Sequence, residues 1–207
     1  MNLRHIFITI TLVLSIIISG NTQIVERHST SLEVYYGYPD TYTLLYRSVL
    51  GSQGITRVTT KGQGPFGARF EHVLSRRIGI GLDLWYVNTK ITGIYTPNNN
   101  ISASNVSFTA NLARLNALVR VTFHLARHEK FDPYVHVGLG YLYSQFNFQS
   151  SSRSNRDNPL LPISARAGMG LKYYFTPEIG AVVDVGFGGP FISVGFFKRW
   201  LKKDENN

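Results

Sequence analysis

The 207-residue sequence contains no cysteine, so neither a disulfide framework nor a thiolate metal site is available to it. Beyond Ile18 no apolar run approaches the ~20 residues of a membrane-spanning helix. The glycine pairs Gly79-x-Gly81, Gly138-x-Gly140 and Gly168-x-Gly170 lack the third glycine and the following helix of a dinucleotide loop. They are read instead as strand glycines. His124 and His128 have helical metal-ligand spacing but flank an expected turn, and no HExxH glutamate accompanies them, so zinc is not expected. No cofactor is expected. Charge is also scarce, at 16% of residues, with 21 Lys and Arg against 12 Asp and Glu. The basic residues do not interleave with exposed aromatics along a groove, which argues against nucleic acid as a partner.

What the sequence does have is glycine (19) and aromatics (12 Tyr, 13 Phe, 2 Trp), a composition that favours strands. The length suits one domain. The start has its own character. Arg4 is followed by an apolar run from Ile6 to Ile18, then by the small residues Ser19-Gly20 and polar Asn21-Thr22-Gln23. A basic start, a short apolar core and a small-residue exit predict a secretory signal peptide over residues 1–20, leaving 21–207 as the mature domain. Cleavage would remove Arg4 and lower the formal charge of +9 by one.

From about residue 29 the chain alternates with period two, as strands with two different faces do. Ile80, Leu82, Leu84 and Tyr86 share one face, and Gly81, Asp83 and Trp85 the other. The same rhythm predicts eight strands, at about 29–38, 64–74, 78–92, 105–125, 132–148, 161–175, 178–188 and 190–200. In the fourth, Phe108, Ala110 and Leu112 have the opposite parity to Leu115 and its successors, and a β-bulge near Leu112–Arg114 is expected to reconcile them. Connections alternate between long polar loops (39–63, 93–104, 149–160) and short turns, with Gly188-Gly189 the tight exception. That asymmetry is the habit of a transmembrane barrel.

One face collects Val, Leu, Ile, Ala, Phe, Tyr and Met. The other collects Glu33, Arg69, Glu71, Asp83, Arg114, Arg120, His136, Arg166, Lys172 and Asp184, spaced by glycines. With the apolar face inward the chain would be a soluble lipocalin-like cup around an oily cavity, coated largely in glycine. With that face outward in lipid, the backbone must pair within a closed sheet, and the charged face becomes a structural network packing an interior only wide enough for side chains. The second arrangement is favoured: an all-β, eight-stranded antiparallel up-and-down transmembrane β-barrel with a charged, side-chain-filled lumen. Tyr36, Tyr38, Tyr86, Tyr141 and Tyr143 would form one interface belt, and Phe123, Tyr173, Phe175, Phe196 and Trp200 the other.

On these strands, the charged lumen and the terminal run Phe191-Ile192-Ser193-Val194-Gly195-Phe196-Phe197, residues 29–200 resemble the small outer-membrane β-barrel proteins of the porin-like, opacity-type superfamily. The resemblance implies a Gram-negative cell envelope, a structural, adhesive or protective role, no wide pore, and a C-terminal aromatic (Trp200 or Phe197) read by the barrel-insertion machinery. The expected form is a monomer in outer-membrane lipid. Six basic residues towards the loops (Arg47, Arg57, Lys61, Lys90, Arg153, Arg156) against Asp40 and Asp157 would attract lipopolysaccharide, and ordinary solvated loop charge accounts for the same excess. Some eight-stranded outer-membrane barrels remove or transfer lipid acyl chains. Here no catalytic residue is expected: the pattern places no Ser or acid beside His72, and His136, with Arg and Asp partners, reads as a packed member of the lumen ion network. The apolar stretch Tyr42–Leu50 is expected to form a short helix at the interface or over the barrel mouth.

Overall fold

The structure, a computed structural model, describes residues 28–41, 43–45, 55–75, 77–95, 106–125, 130–150, 153–155 and 161–201. The expected signal peptide therefore lies outside the described residues, as do His128 and the stretch from Tyr46 to Leu50. Nine strands are present: β1 (Thr30–Asp40), β2 (Ile55–Val73), β3 (Ile78–Tyr95), β4 (Val106–His124), β5 (Phe131–Ser150), β6 (Arg153–Asn155), β7 (Ile163–Tyr174), β8 (Ile179–Phe187) and β9 (Pro190–Trp200). Eight of them form the wall. The ninth, β6, is a three-residue return that pairs only with the end of β5.

Every neighbouring pair in the wall is antiparallel and consecutive, and the ring closes where β1 pairs with β9 from Thr30↔Trp200 to Asp40↔Pro190. Closure removes both sheet edges, so backbone donors and acceptors are paired around the ring. The chain is a closed eight-stranded, up-and-down β-barrel. Three connections at one end are brief, as the sequence suggests. At Leu74–Arg77 two backbone N–H groups donate to the Ile78 carbonyl (2.9 and 3.2 Å), and at Thr176 the hydroxyl accepts from the N–H groups of Glu178 and Ile179. At the other end the β8–β9 turn needs its glycine: Gly188 sits at φ 89°, where a side chain would be strained, and a Cβ there would run into the Ala165 carbonyl.

Three expectations are corrected. The bulge near Leu112–Arg114 is absent, since β4 keeps an unbroken register with both β3 and β5 from Phe108 to Phe123. Phe108, Ala110 and Leu112 therefore share the inward face of Arg114, Asn116 and Leu118, and all six are buried. Bulges occur instead in β2, between Thr56 and Thr59 and between Gln63 and Phe66, where the register against β3 shifts. The second correction concerns the first loop. Nine residues assigned to it (55–63) belong to β2, and only Thr41 and Thr43–Leu45 among its described residues turn helically. The third is that β5 runs to Ser150 and β3 to Tyr95, so both strands outlast their expected ends.

Closure predicts a crosslink. Val34 and Phe196 are Cα partners on β1 and β9, and Val34→Cys with Phe196→Cys would introduce the only two cysteines in the chain. Oxidation of the folded protein should join them in high yield and leave a compact species that survives boiling. Failure to crosslink after folding would mean that the ring is open.

Candidate functional site

The lumen is assembled from inward-facing side chains of all eight wall strands. The ten residues proposed from sequence (Glu33, Arg69, Glu71, Asp83, Arg114, Arg120, His136, Arg166, Lys172 and Asp184) all lie inside and are buried. Seven of them converge. Asp184 on β8 accepts from Arg166 Nη2 (2.6 Å), Arg69 Nη2 (3.4 Å) and Tyr134 Oη (3.1 Å), and lies 2.9 Å from His136 Nε2. Asp83 on β3 accepts from Arg69 Nε (3.0 Å) and Tyr35 Oη (2.7 Å). Arg69 also donates to Glu33 (2.5 Å), so one guanidinium is shared by three carboxylates. Arg120 stands 3.8 Å from Asp83 and 3.7 Å from Asp184. Lys172 pairs with Glu71 nearer the short-turn end, and Arg114 pairs with Asp40 at the opposite mouth.

Four further lumen charges were not assigned from sequence. Asp132 accepts from His124 Nδ1 at 2.9 Å, Arg199 donates to the Pro177 carbonyl, and Asp40 lies among the buried residues. With them the buried set holds six carboxylates (Glu33, Asp40, Glu71, Asp83, Asp132, Asp184) and six Arg or Lys (Arg69, Arg114, Arg120, Arg166, Lys172, Arg199). That balance is what removal of charges from water demands. Asp132, Arg199 and His124 share the strand parity of known lumen neighbours, so a strict parity count finds them. Asp40 escapes such a count, because the alternation of β1 slips at Pro39.

Aromatics fill the remaining space against the lumen glycines. A Cβ at Gly67 would collide with the Tyr35 ring, at Gly170 with Tyr134 and at Gly180 with Phe197. Tyr134, Tyr174, Val182 and Phe197 form one buried cluster, and Tyr35, Trp85 and Leu118 another. Between Glu33, Arg69, Glu71, Arg120 and Lys172 about 10 Å³ is left, enough for roughly one water. A lipocalin-like oily cavity is thereby excluded, and the soluble-cup alternative with it.

The outer face is the complement. Leu82, Leu84, Val119, Val137, Leu139, Met169, Val183 and Val194 are all exposed. Every tyrosine assigned to the upper belt points outward, as do Phe123, Phe175, Phe196 and Trp200 at the lower one. From Leu115 to Leu125 this apolar band covers about 34 Å of strand, or about 26 Å of barrel height at ~40° tilt. That matches the ~25 Å band of outer-membrane barrels. Phe197 turns into the lumen, leaving Trp200 as the terminal outward aromatic, with the Lys198 ammonium 5.7 Å from its ring. His72 is half-buried on the outer face at the short-turn end. Its Nδ1 meets the Thr30 hydroxyl at 2.9 Å, and no acid pairs with it among the described residues.

Above the band the polarity inverts. The cross-strand row Phe66–Tyr86–Leu115–Tyr143 is its upper rim. The next outward rows along β2 to β5 are Gln63–Asn88–Ala113–Gln145 and Lys61–Lys90–Asn111–Asn147. Facing inward at these levels are the apolar Val87, Ile91, Phe108, Ala110 and Leu112, with the polar Thr89, Arg114 and Ser144 among them. Four strands thus project past the band as a blade, wet outside and packed, mostly by apolar side chains, inside.

No protein-family model matches the sequence, and no curated protein sequence matches it. Among solved structures the chain is similar to the N-terminal β-barrel domain of Pseudomonas aeruginosa OprF (15% identity, 84% of this chain and 98% of that one, TM-score 0.44). It is likewise similar to Ail, the attachment invasion locus protein of Yersinia pestis (12%, 84% and 100%, TM-score 0.44). A third likeness is to the outer membrane protein OprG from Pseudomonas aeruginosa (10%, 89% and 100%, TM-score 0.44).

The Asp184 hub sets a stability prediction. Asp184→Ala strands Arg69, Arg166 and His136 in the lumen and should cost about 3–5 kcal/mol in denaturant unfolding of the folded barrel. Combining Asp184→Leu with Arg166→Met should cost clearly less than the two single changes added together. Additive costs would show that the two residues do not act as a pair.

Proposed function

We propose that this chain is an integral outer-membrane β-barrel with a structural, adhesive or protective role in the envelope and no wide pore. The observation that carries the reading is the pairing of opposites: a continuous apolar band outside and a charge-balanced, filled interior. In water such a molecule would expose a contiguous apolar surface far beyond what monomeric soluble proteins tolerate. In lipid it is satisfied on both sides. Export behind residues 1–20 and assembly by the barrel-insertion machinery, with Trp200 as the outward terminal aromatic, belong to the same reading. So does a monomer surrounded by outer-membrane lipid. The blade of β2 to β5 suits a surface role, because it lifts a polar wall clear of the bilayer while its inner side stays packed. The lumen histidines His124 and His136 lie buried against Asp132 and Asp184 of the structural network, and this supports a non-catalytic barrel.

The chain's two tryptophans provide a direct test, since they stand on opposite faces. Trp85 is 2% exposed in the lumen, whereas Trp200 is 46% exposed on the outer wall. In phosphatidylcholine vesicles carrying brominated acyl chains, the Trp85→Phe protein should be strongly quenched and the Trp200→Phe protein scarcely at all. Equal quenching, or none for Trp200, would overturn membrane insertion.

A charge placed on the band tests the same point energetically. Leu139 lies mid-band and is 69% exposed. Leu139→Arg should cost about 2–4 kcal/mol of folding free energy in bilayers, the penalty for a cation at the membrane midplane. A change within about 0.5 kcal/mol, ordinary for a water-exposed site, would contradict it.

A further inference from the structure

Just above the apolar band the barrel wall has a seam. β1 and β2 pair from Thr30↔His72 only as far as Tyr36↔Phe66. Past that point β1 continues against β9, while β2 continues against β3. A cavity of about 320 Å³ occupies the gap, at the small end of the usual range for small-molecule sites. Consecutive β2 residues of both parities, Thr60 to Gly64, line it, together with Tyr38, Asp40 and Thr89, so it passes through the wall from outer face to lumen mouth.

The chemistry of the seam is specific. Lys61 lines its outer lip, and Lys90, its direct cross-strand partner on β3, stands beside it on the same outer face; both are exposed. Like charges so placed repel. No acid pairs with either among the described residues, and the sequence has none between Asp40 and Glu71 or between Asp83 and Glu129. Their row neighbours Asn111 and Asn147 are neutral hydrogen-bonding groups. Behind the lysines the lining mixes hydroxyls and a carboxylate with the apolar Pro39, Leu44 and Val87. Asp40 Oδ2 accepts from the backbone N–H and the hydroxyl of Thr43, each at 2.9 Å, and pairs with Arg114. Asp40 Oδ1 and Thr60 Oγ1 are buried without a hydrogen-bond partner among the described residues. Tyr38, 70% exposed, offers its ring at the rim.

We infer that this seam holds the phosphorylated sugar headgroup of an outer-leaflet glycolipid. A phosphate bridging Lys61 and Lys90 relieves their repulsion through charge-assisted hydrogen bonds. Their long stems let the ammonium groups reach down towards the Phe66–Tyr86 rim, where headgroup phosphates lie. A phospholipid phosphate would use the lysines alone. The free carboxylate oxygen and the threonine hydroxyl behind them need a ligand bearing hydroxyl groups, and a sugar ring supplies both donors and acceptors. The inference rests on the outer-membrane reading, since only there does the seam face a glycolipid leaflet.

The test uses the full barrel in phosphatidylcholine nanodiscs, after Trp200 quenching has established insertion, so a failed insertion is recognised before any lipid is added. Binding is then measured for three probes: lipid A (a diphosphorylated diglucosamine lipid), lipid A with its phosphates removed, and phosphatidylglycerol. Lipid A should bind most tightly. Lys61→Gln with Lys90→Gln should weaken it about tenfold, without loss of folding in plain phosphatidylcholine because a repulsion has been removed. Thr60→Val should weaken lipid A about threefold while leaving phosphatidylglycerol unchanged. Unchanged lipid A binding by the double lysine variant overturns the inference. So does phosphatidylglycerol binding as tightly as lipid A, which would reduce the site to a plain phosphate contact.

Discussion

Arg69 and Asp184 come from strands β2 and β8, yet they meet inside the barrel. Only a narrow cylinder brings those two walls within reach of one guanidinium. The rest of the molecule is organised around this contact and its neighbours. Because Arg69 is shared by Glu33, Asp83 and Asp184, while Asp184 also receives Arg166, Tyr134 and His136, no member can leave without stranding a charge away from water. The network therefore fills the lumen and fixes its register against the wall. It also leaves the outer face free of any charged group the interior requires. Among the described strand residues the charged side chains exposed on that outer face are lysines: Lys61, Lys90 and Lys198.

The inversion of polarity along β2 to β5 turns an all-purpose barrel into one with a defined level in a membrane. Within the band, outward Val119 and Leu84 oppose inward Arg120 and Asp83. A few residues higher, outward Asn111 and Lys90 oppose inward Leu112 and Ile91. Backbone and period are continuous through the change. What differs is the medium on the outside, and the side chains on both faces follow it. The parting of β1 from β2 falls at the same height. This wall opening thus sits where bilayer gives way to headgroups.

Much of this was legible in the chain. The strand period, the alternation of long and short connections and the segregation of Glu33, Arg69, Asp83, Arg166 and Asp184 to one face required no coordinates. One error comes from assuming that apolar always means outward. Phe108, Ala110 and Leu112 suggested a bulge because they were read as lipid-facing, when they pack the inside of a blade that has already left the lipid. The start of β2 reads as loop because Thr59 to Gln63, polar on the outer side and small on the inner, carry no apolar alternation to detect. Asp40 was hidden by a parity slip at Pro39.

The sequence alone determines that the chain alternates, how many crossings it makes and which residues share a side, since these follow from the two-residue period and the spacing of turns. It also determines that charge and grease must be separated by the sheet. It does not determine which carboxylate takes which guanidinium, where the seam opens, or at what height the two faces exchange character. Those depend on ring closure and strand stagger, which bring together residues more than a hundred positions apart, such as Glu71 with Lys172 and Arg69 with Asp184. Local periodicity carries no information about that distance, because it is set by the circumference of the barrel.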